Sequence, residues 1–117
     1  MAGKIKDALE EFLRIEGVTA AAIVGRDGFV IDCASREQLD TDALGAVIAA
    51  ATTASETIGN DFKMGKLEHH LLEFESGKVI IAAIANDVLV LTTDTTSVIG
   101  SVRYAVKKRI GDLAQLL

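Results

Sequence analysis

Two runs of consecutive apolar residues constrain the fold of this chain more than any other feature. Residues 79–85 and 88–91 are apolar at every position, whereas a strand with one face in water alternates apolar and polar residues. Both faces of these two strands should therefore be buried. The chain has 117 residues, half of them hydrophobic, which is enough for one compact domain with one core. We expect residues 1–117 to form a single domain in which helices cover both faces of a sheet.

The other periodicities predict a layered α/β domain with the order helix, strand, strand, helix, strand, strand, strand, helix. The turns between strands should be Gly25 to Gly28, Ser76-Gly77 and Asn86-Asp87, all short enough for hairpins. Gly17 is predicted to end the first helix. The last helix is predicted to be capped by one of the polar residues at 94–97. The predicted helices cover 1–17, 40–58 and 97–116, and the predicted strands cover 18–24, 29–34, 66–74, 78–85 and 88–93.

Each helix shows a stripe of apolar residues at helical spacing that should face the sheet. The stripes are Ile5, Leu9, Phe12 and Leu13 in the first helix, Leu44, Val47, Ile48, Ala51, Ser55 and Ile58 in the central helix, and Val98, Val102, Ala105, Val106 and Leu113 in the last.

The opposite face of the central helix is small and uncharged, since it consists of Ala46, Ala50, Thr53 and Thr57. A helix with its back in water usually carries Lys, Glu and Arg there. Small side chains allow two helix backbones to approach closely, which favours the same helix of a second copy about a two-fold axis. The alternative is a helix rich in alanine for its propensity alone.

The width of the sheet also favours a dimer. Five strands span about 24 Å at about 4.8 Å each, whereas one helix with its side chains covers about 10 Å. The two terminal helices can together cover one face, but the central helix alone cannot cover the other. A dimer with two central helices side by side would cover it.

Composition and charge exclude several classes of function. The formal charge of −5 argues against a nucleic-acid-binding surface, which needs a basic footprint. No apolar run approaches the roughly 20 residues of a membrane span, so we expect a soluble, cytoplasmic protein without a transmembrane segment. The one cysteine, Cys33, excludes an internal disulfide and is interpreted as a small core residue.

No catalytic constellation is present in the sequence, which lacks a phosphate-binding loop, a nucleophile elbow and a metal-spaced His/Cys set. We therefore expect no enzyme, no cofactor and no metal. His69 and His70 are adjacent in a strand, so their side chains should point to opposite faces. Asp40 and Asp42 begin a helix, where capping is the expected role. Arg26 and Arg36 are the loop arginines, and neither is expected to serve as a catalytic finger.

The last helix carries four basic residues against one acid, Asp112. Such a helix can simply be matched to its own dipole. The alternatives are contact with an acidic partner or with a membrane surface.

Several segments together resemble the Roadblock/dynein light chain domain family. They are the hairpin at 18–34, Gly65-Lys66-Leu67-Glu68, the Ser76-Gly77 turn, the run at 86–90 and, above all, the run at 98–103. The resemblance covers nearly the whole chain and implies a three-layer sandwich with a five-strand antiparallel sheet of order 2-1-5-4-3. It also implies a dimer that pairs the third strands and brings the central helices together. The implied dimer interface is Ala46, Ala50, Thr53, Thr57, Leu67, His69 and Leu71.

The resemblance is to the MglB-like branch of bacterial and archaeal members, and this implies a function. Members of that branch bind a small Ras-like GTPase and help it to hydrolyse GTP by repositioning the GTPase's own residues. We therefore expect a homodimeric GTPase regulator, with Glu56, Asn60 and Lys63 as the partner contacts. The alternative is a structural adaptor in a larger motor or signalling assembly, and a less favoured one is a ligand-binding domain of the related sensory folds.

Overall fold

The computed structural model describes residues 2–117, with side chains from residue 3 onward. Met1, where the first helix was predicted to begin, lies outside the described residues. The elements are α1 (Ala2–Phe12), β1 (Val18–Gly25), β2 (Val30–Ser35), α2 (Thr41–Asp61), β3 (His69–Phe74), β4 (Gly77–Ile84), β5 (Asp87–Thr93) and α3 (Ile99–Ala114). The predicted order of helices and strands is confirmed.

The five strands form one antiparallel sheet in the order β2-β1-β5-β4-β3, as predicted. The strands β1 and β5 lie at its centre, where nearly every residue is buried, and β2 and β3 are its edges. None of the helices within residues 2–117 is long and apolar enough to cross a membrane.

The helices cover both faces of the sheet, and each face has its own core. On one face, Leu9 and Phe12 of α1 and Val102 and Val106 of α3 pack on the sheet. On the other face, Ile48 of α2 packs on residues that include Val24 and Ile81, with Leu44, Ala51 and Cys33 around them. Cys33 is half-buried, and burial raises the pKa of its thiol. The structure thus confirms the three-layer arrangement, and it places Cys33 at the margin of the second core as a partly buried residue.

Several predicted element boundaries were wrong. The helix α1 ends at Phe12, and Gly17 follows a further turn, so it does not end the helix. Gly17 has φ of +87° beside the Ser97 backbone, where a Cβ would lie 2.4 Å from Ser97 N. The two-residue turns of the β3–β4 and β4–β5 hairpins lie one residue earlier than predicted. The start of β3 is three residues later than predicted.

The start of α3 also differs from the prediction. Its N-cap is Val98, whose side chain cannot accept a hydrogen bond and is 62% exposed, so Val98 does not belong to the core stripe. The Asp94 carboxylate instead accepts from the N–H and the hydroxyl of Thr96 in the preceding loop. Asp40, by contrast, caps α2 as predicted, with its carboxylate accepting from the N–H of Ala43 at 3.1 Å.

Candidate protein-interaction site

The helix α2 presents two faces of different character. Its inner face buries Gly45, Ile48 and Thr52 against the sheet. Thr52 is tolerated there because its hydroxyl donates to the carbonyl of Ile48 in the same helix, at 2.8 Å. A buried hydroxyl that finds a partner within its own helix leaves no unsatisfied polar group.

The outer face of α2 is exposed, small and apolar. Ala46, Ala50, Thr53 and Thr57 are all exposed, as the sequence predicted. Two residues predicted to lie in the core also belong to this outer face, since Val47 is 62% exposed and Ile58 is 57% exposed. The outer surface of the helix is therefore more apolar than the sequence indicated. A contiguous apolar patch of this kind is typical of a protein-interaction site.

The orientation of α2 depends on a close approach of two backbones. A Cβ on Gly45 would lie only 2.0 Å from the carbonyl oxygen of Gly28 in the β1–β2 turn. Gly28 itself has φ of +91°, a conformation that favours glycine. These two glycines let α2 sit directly on the turn. The side of α2 that carries Gly45 must therefore face inward, which turns Val47 outward.

A bidentate ion pair joins the β1–β2 turn to the second half of α2. The Arg26 guanidinium contacts the Glu56 carboxylate at 2.9 Å and 3.3 Å, and also donates to the carbonyl of Asn86. The hydrogen bond from Arg26 lowers the pKa of Glu56 below its ordinary value. Both side chains are thus engaged within the chain. Arg36 is engaged as well, since its Nε donates to the carbonyl of Val18 at 2.9 Å.

The segment that follows α2 forms an exposed tip. Lys63, at φ of +57°, lies between Phe62, which is 69% exposed, and Met64, which is 76% exposed. Asn60, in the last turn of α2, is also exposed. Aromatic residues and methionine are enriched at protein interfaces. Sequence reasoning selected Asn60 and Lys63 but missed Phe62 and Met64, although two large apolar residues directly after a helix were a usable signal.

The edge strand β3 leaves backbone groups unpaired. The N–H of Ala83 donates to the carbonyl of Glu68 at 3.0 Å, and the register pairs His70 with Ile81. Since hydrogen-bonded pairs alternate along an antiparallel ladder, the backbone groups of His69, Leu71 and Glu73 point away from β4. They form a free edge to which another strand can add. Leu67, predicted to lie in this strand, precedes it and is half-buried.

The two histidines point to opposite faces of the sheet, as predicted. Nδ1 of His70 lies 2.7 Å from the hydroxyl of Ser55 on α2, and Nε2 of His69 lies 3.3 Å from Nη2 of Arg103 on α3. Among residues 2–117, no group of three or more His, Cys, Asp or Glu side chains is placed to hold a metal ion.

Comparisons with known proteins give a consistent result. A family model described as the Roadblock/LC7 domain matches residues 4–93. An uncharacterized protein of Methanocaldococcus jannaschii is 32% identical over 104 residues, which cover 89% of this chain and 91% of that protein. MglB of Myxococcus xanthus superposes with a TM-score of 0.90 at 19% identity, over 97% of this chain and 94% of that chain. The gliding protein MglB of Thermus thermophilus gives a TM-score of 0.87 at 23% identity, over 97% and 87% of the two chains.

Proposed function

Because the chain belongs to the Roadblock/LC7 domain family, we propose that residues 1–117 form a single Roadblock domain. We propose further that this domain acts as a homodimeric regulator of a small Ras-like GTPase. The regulator binds the GTP-loaded partner and accelerates hydrolysis by positioning the partner's own residues, without a catalytic side chain of its own. The observation that carries the proposal is the outer face of α2, which is exposed, apolar and uncharged over most of its length.

The dimer uses two surfaces, the outer face of α2 and the free edge of β3. The outer face of α2, with Ala46, Ala50, Thr53 and Thr57, packs against its copy, because small side chains allow close approach. The free edge of β3 pairs with its copy through the backbone groups of His69 and Leu71. Leu67 precedes the ladder, so its contribution to the interface would come from its side chain alone.

The GTPase contacts the exposed tip after α2, with Lys63 and Asn60 as polar contacts and Phe62 and Met64 as apolar ones. Glu56 has a different role in this proposal, because its carboxylate is held by Arg26. It positions α2 relative to the β1–β2 turn. Arg26 is held in the same pair, which supports a mechanism without a catalytic arginine supplied by this chain.

The decisive experiment is calorimetric titration with Ras-like GTPases of the same organism, each loaded with GDP or with a GTP analogue that is not hydrolysed. We expect binding to the GTP form to be at least about tenfold tighter, since a regulator must discriminate between the two states that it biases. Lys63→Glu should weaken binding. Lys4→Glu is the matched control, because Lys4 is also exposed but lies on α1, which covers the opposite face of the sheet.

GTP hydrolysis measured with the bound partner tests the second half of the proposal. Arg26→Ala should retain most of the stimulation, whereas removal of a true arginine finger would reduce the rate by about 10³- to 10⁵-fold. Equal affinity for the GTP- and GDP-loaded partner would contradict the proposal and favour a structural adaptor.

A further inference from the structure

A groove of about 600 Å³ lies between α3 and the β3–β4 edge of the sheet. Its floor is formed by Ile80 and Ala82 of β4, one wall by Leu67 and His69, and the other wall by α3. It lies on the face of the sheet opposite α2. The groove is therefore separate from the surfaces assigned above to the GTPase and to the helix contact of the dimer, although it adjoins the β3 contact of the dimer through Leu67 and His69.

Two cations of α3 line this groove. Arg103 and Lys107 lie four residues apart on one face of the helix. Within the described chain, neither residue forms an ion pair. The one polar contact of their side chains there is between Nη2 of Arg103 and Nε2 of His69, at 3.3 Å. Like charges at this spacing destabilise a helix. The one acid of the lining is Glu68, which is exposed.

The helix dipole does not account for these two charges. Dipole stabilisation acts over the last turn of a helix, and α3 has no basic residue in its last turn. The other two cations of α3 already have partners, since Arg109 is paired with Glu11 and Nζ of Lys108 lies 6.0 Å from the Tyr104 ring centroid. Arg103 and Lys107 therefore form a positive wall in a chain whose net charge is −5.

We propose that this groove binds an extended acidic segment of a partner protein, with an acidic–apolar–acidic pattern. Four residues of a helix rise about 6 Å, and two residues of a strand about 6.6 Å. Two carboxylates at alternate positions of an extended segment therefore match Arg103 and Lys107. The apolar residue between them points the other way, toward Leu67.

Two features favour a protein segment over a membrane surface. Tyr104, the one tyrosine of the chain, stands at the groove and is 67% exposed. Tyrosine and arginine are the residues enriched at the energetic centres of protein interfaces. A flat bilayer surface cannot enter a concave groove, whereas an extended peptide can lie along it.

The glycines of α3 supply a matched pair of variants. A Cβ at Gly100 or at Gly111 would meet nothing within 4 Å. Glycine within a helix costs about 1 kcal/mol relative to alanine, so neither substitution should harm the fold. Gly100 lines the groove and Gly111 does not. Gly100→Leu should therefore fill the groove, and Gly111→Leu should leave it open.

The test is fluorescence anisotropy of the full chain with labelled peptides that alternate Glu-Leu or Lys-Leu. We expect the acidic peptide to bind at least about tenfold more tightly than the basic one, and the double variant Arg103→Glu, Lys107→Glu to reverse that preference. Gly100→Leu should weaken binding by about tenfold or more, and Gly111→Leu should bind like the wild type. Circular dichroism should show both glycine variants folded.

Several results would overturn the proposal. They are no binding of the acidic peptide up to about 1 mM, an equal loss in both glycine variants, equal affinity for a peptide with its glutamates and leucines in separate blocks, and binding to anionic vesicles that outcompetes the peptide. The last would assign the charges to a membrane surface. Free glutamate that binds as tightly as the peptide would also contradict a protein segment.

Discussion

Replacing Gly45 with alanine should destabilise the protein, although the same change usually stabilises a helix. The new Cβ would lie 2.0 Å from the carbonyl oxygen of Gly28, and ordinary contact begins at 3.4 Å. The helix α2 and the β1–β2 turn must therefore separate by 1.4 Å, which is the difference between these two distances. The new Cβ is fixed to the backbone of α2 and the oxygen belongs to the backbone of the turn, so no flexible side chain can move aside.

The size of the effect follows from two opposing terms. Overpacking of a well-packed site costs about 1–3 kcal/mol, and a clash that only backbone movement can relieve belongs at the upper end of that range. Alanine recovers about 1 kcal/mol through its higher helix propensity. The net loss is therefore about 2 kcal/mol, and at about 4 °C per kcal/mol for a chain of this size the Tm should fall by about 8 °C.

Thermal unfolding followed by circular dichroism measures this shift, with all variants at one protein concentration because a dimer's Tm depends on concentration. Gly100→Ala is the control, since its Cβ meets nothing within 4 Å. That variant should gain up to about 1 kcal/mol, since Gly100 lies in the first turn of α3. A Tm that rises in Gly45→Ala as it does in Gly100→Ala would refute the reasoning, because the close approach to Gly28 would then carry no constraint.

Two further predictions concern the β3 edge and the Arg26–Glu56 pair. Leu71→Pro removes an N–H that points away from β4, so light scattering should show a folded monomer. Leu71→Ala keeps that N–H and should remain a dimer. A dimeric Leu71→Pro would contradict pairing through this edge. The lowered pKa of Glu56 means that its pair with Arg26 stabilises the fold above the ordinary glutamate pKa and loses that effect as the pH falls through the lowered folded-state value. Urea unfolding should therefore show the wild type up to about 1 kcal/mol more stable than Glu56→Gln at neutral pH. This difference in stability should vanish in acid. A difference that does not change with pH would be inconsistent with the pair.

The candidate site was partly predictable from the sequence. The exposed positions Ala46, Ala50, Thr53 and Thr57 were identified because the absence of charge is a local property of a helix face. The engagement of Glu56 by Arg26 was missed, since the two residues are 30 positions apart and neither neighbourhood indicates the other. The groove at Arg103 was missed for the same reason, because its walls come from α3 and from the start of β3.

The sequence by itself determined the element order, the β1–β2 hairpin and the burial of both sheet faces, because these follow from local periodicity and turn chemistry. Only the tertiary structure decided which side of α2 faces the core. That helix carries apolar residues around most of its circumference, so its hydrophobic pattern is compatible with several rotations. The contact of Gly45 with Gly28 selects one of them, since close backbone packing there requires the side that lacks a side chain. Val47 and Ile58 are thereby turned outward to form the apolar surface.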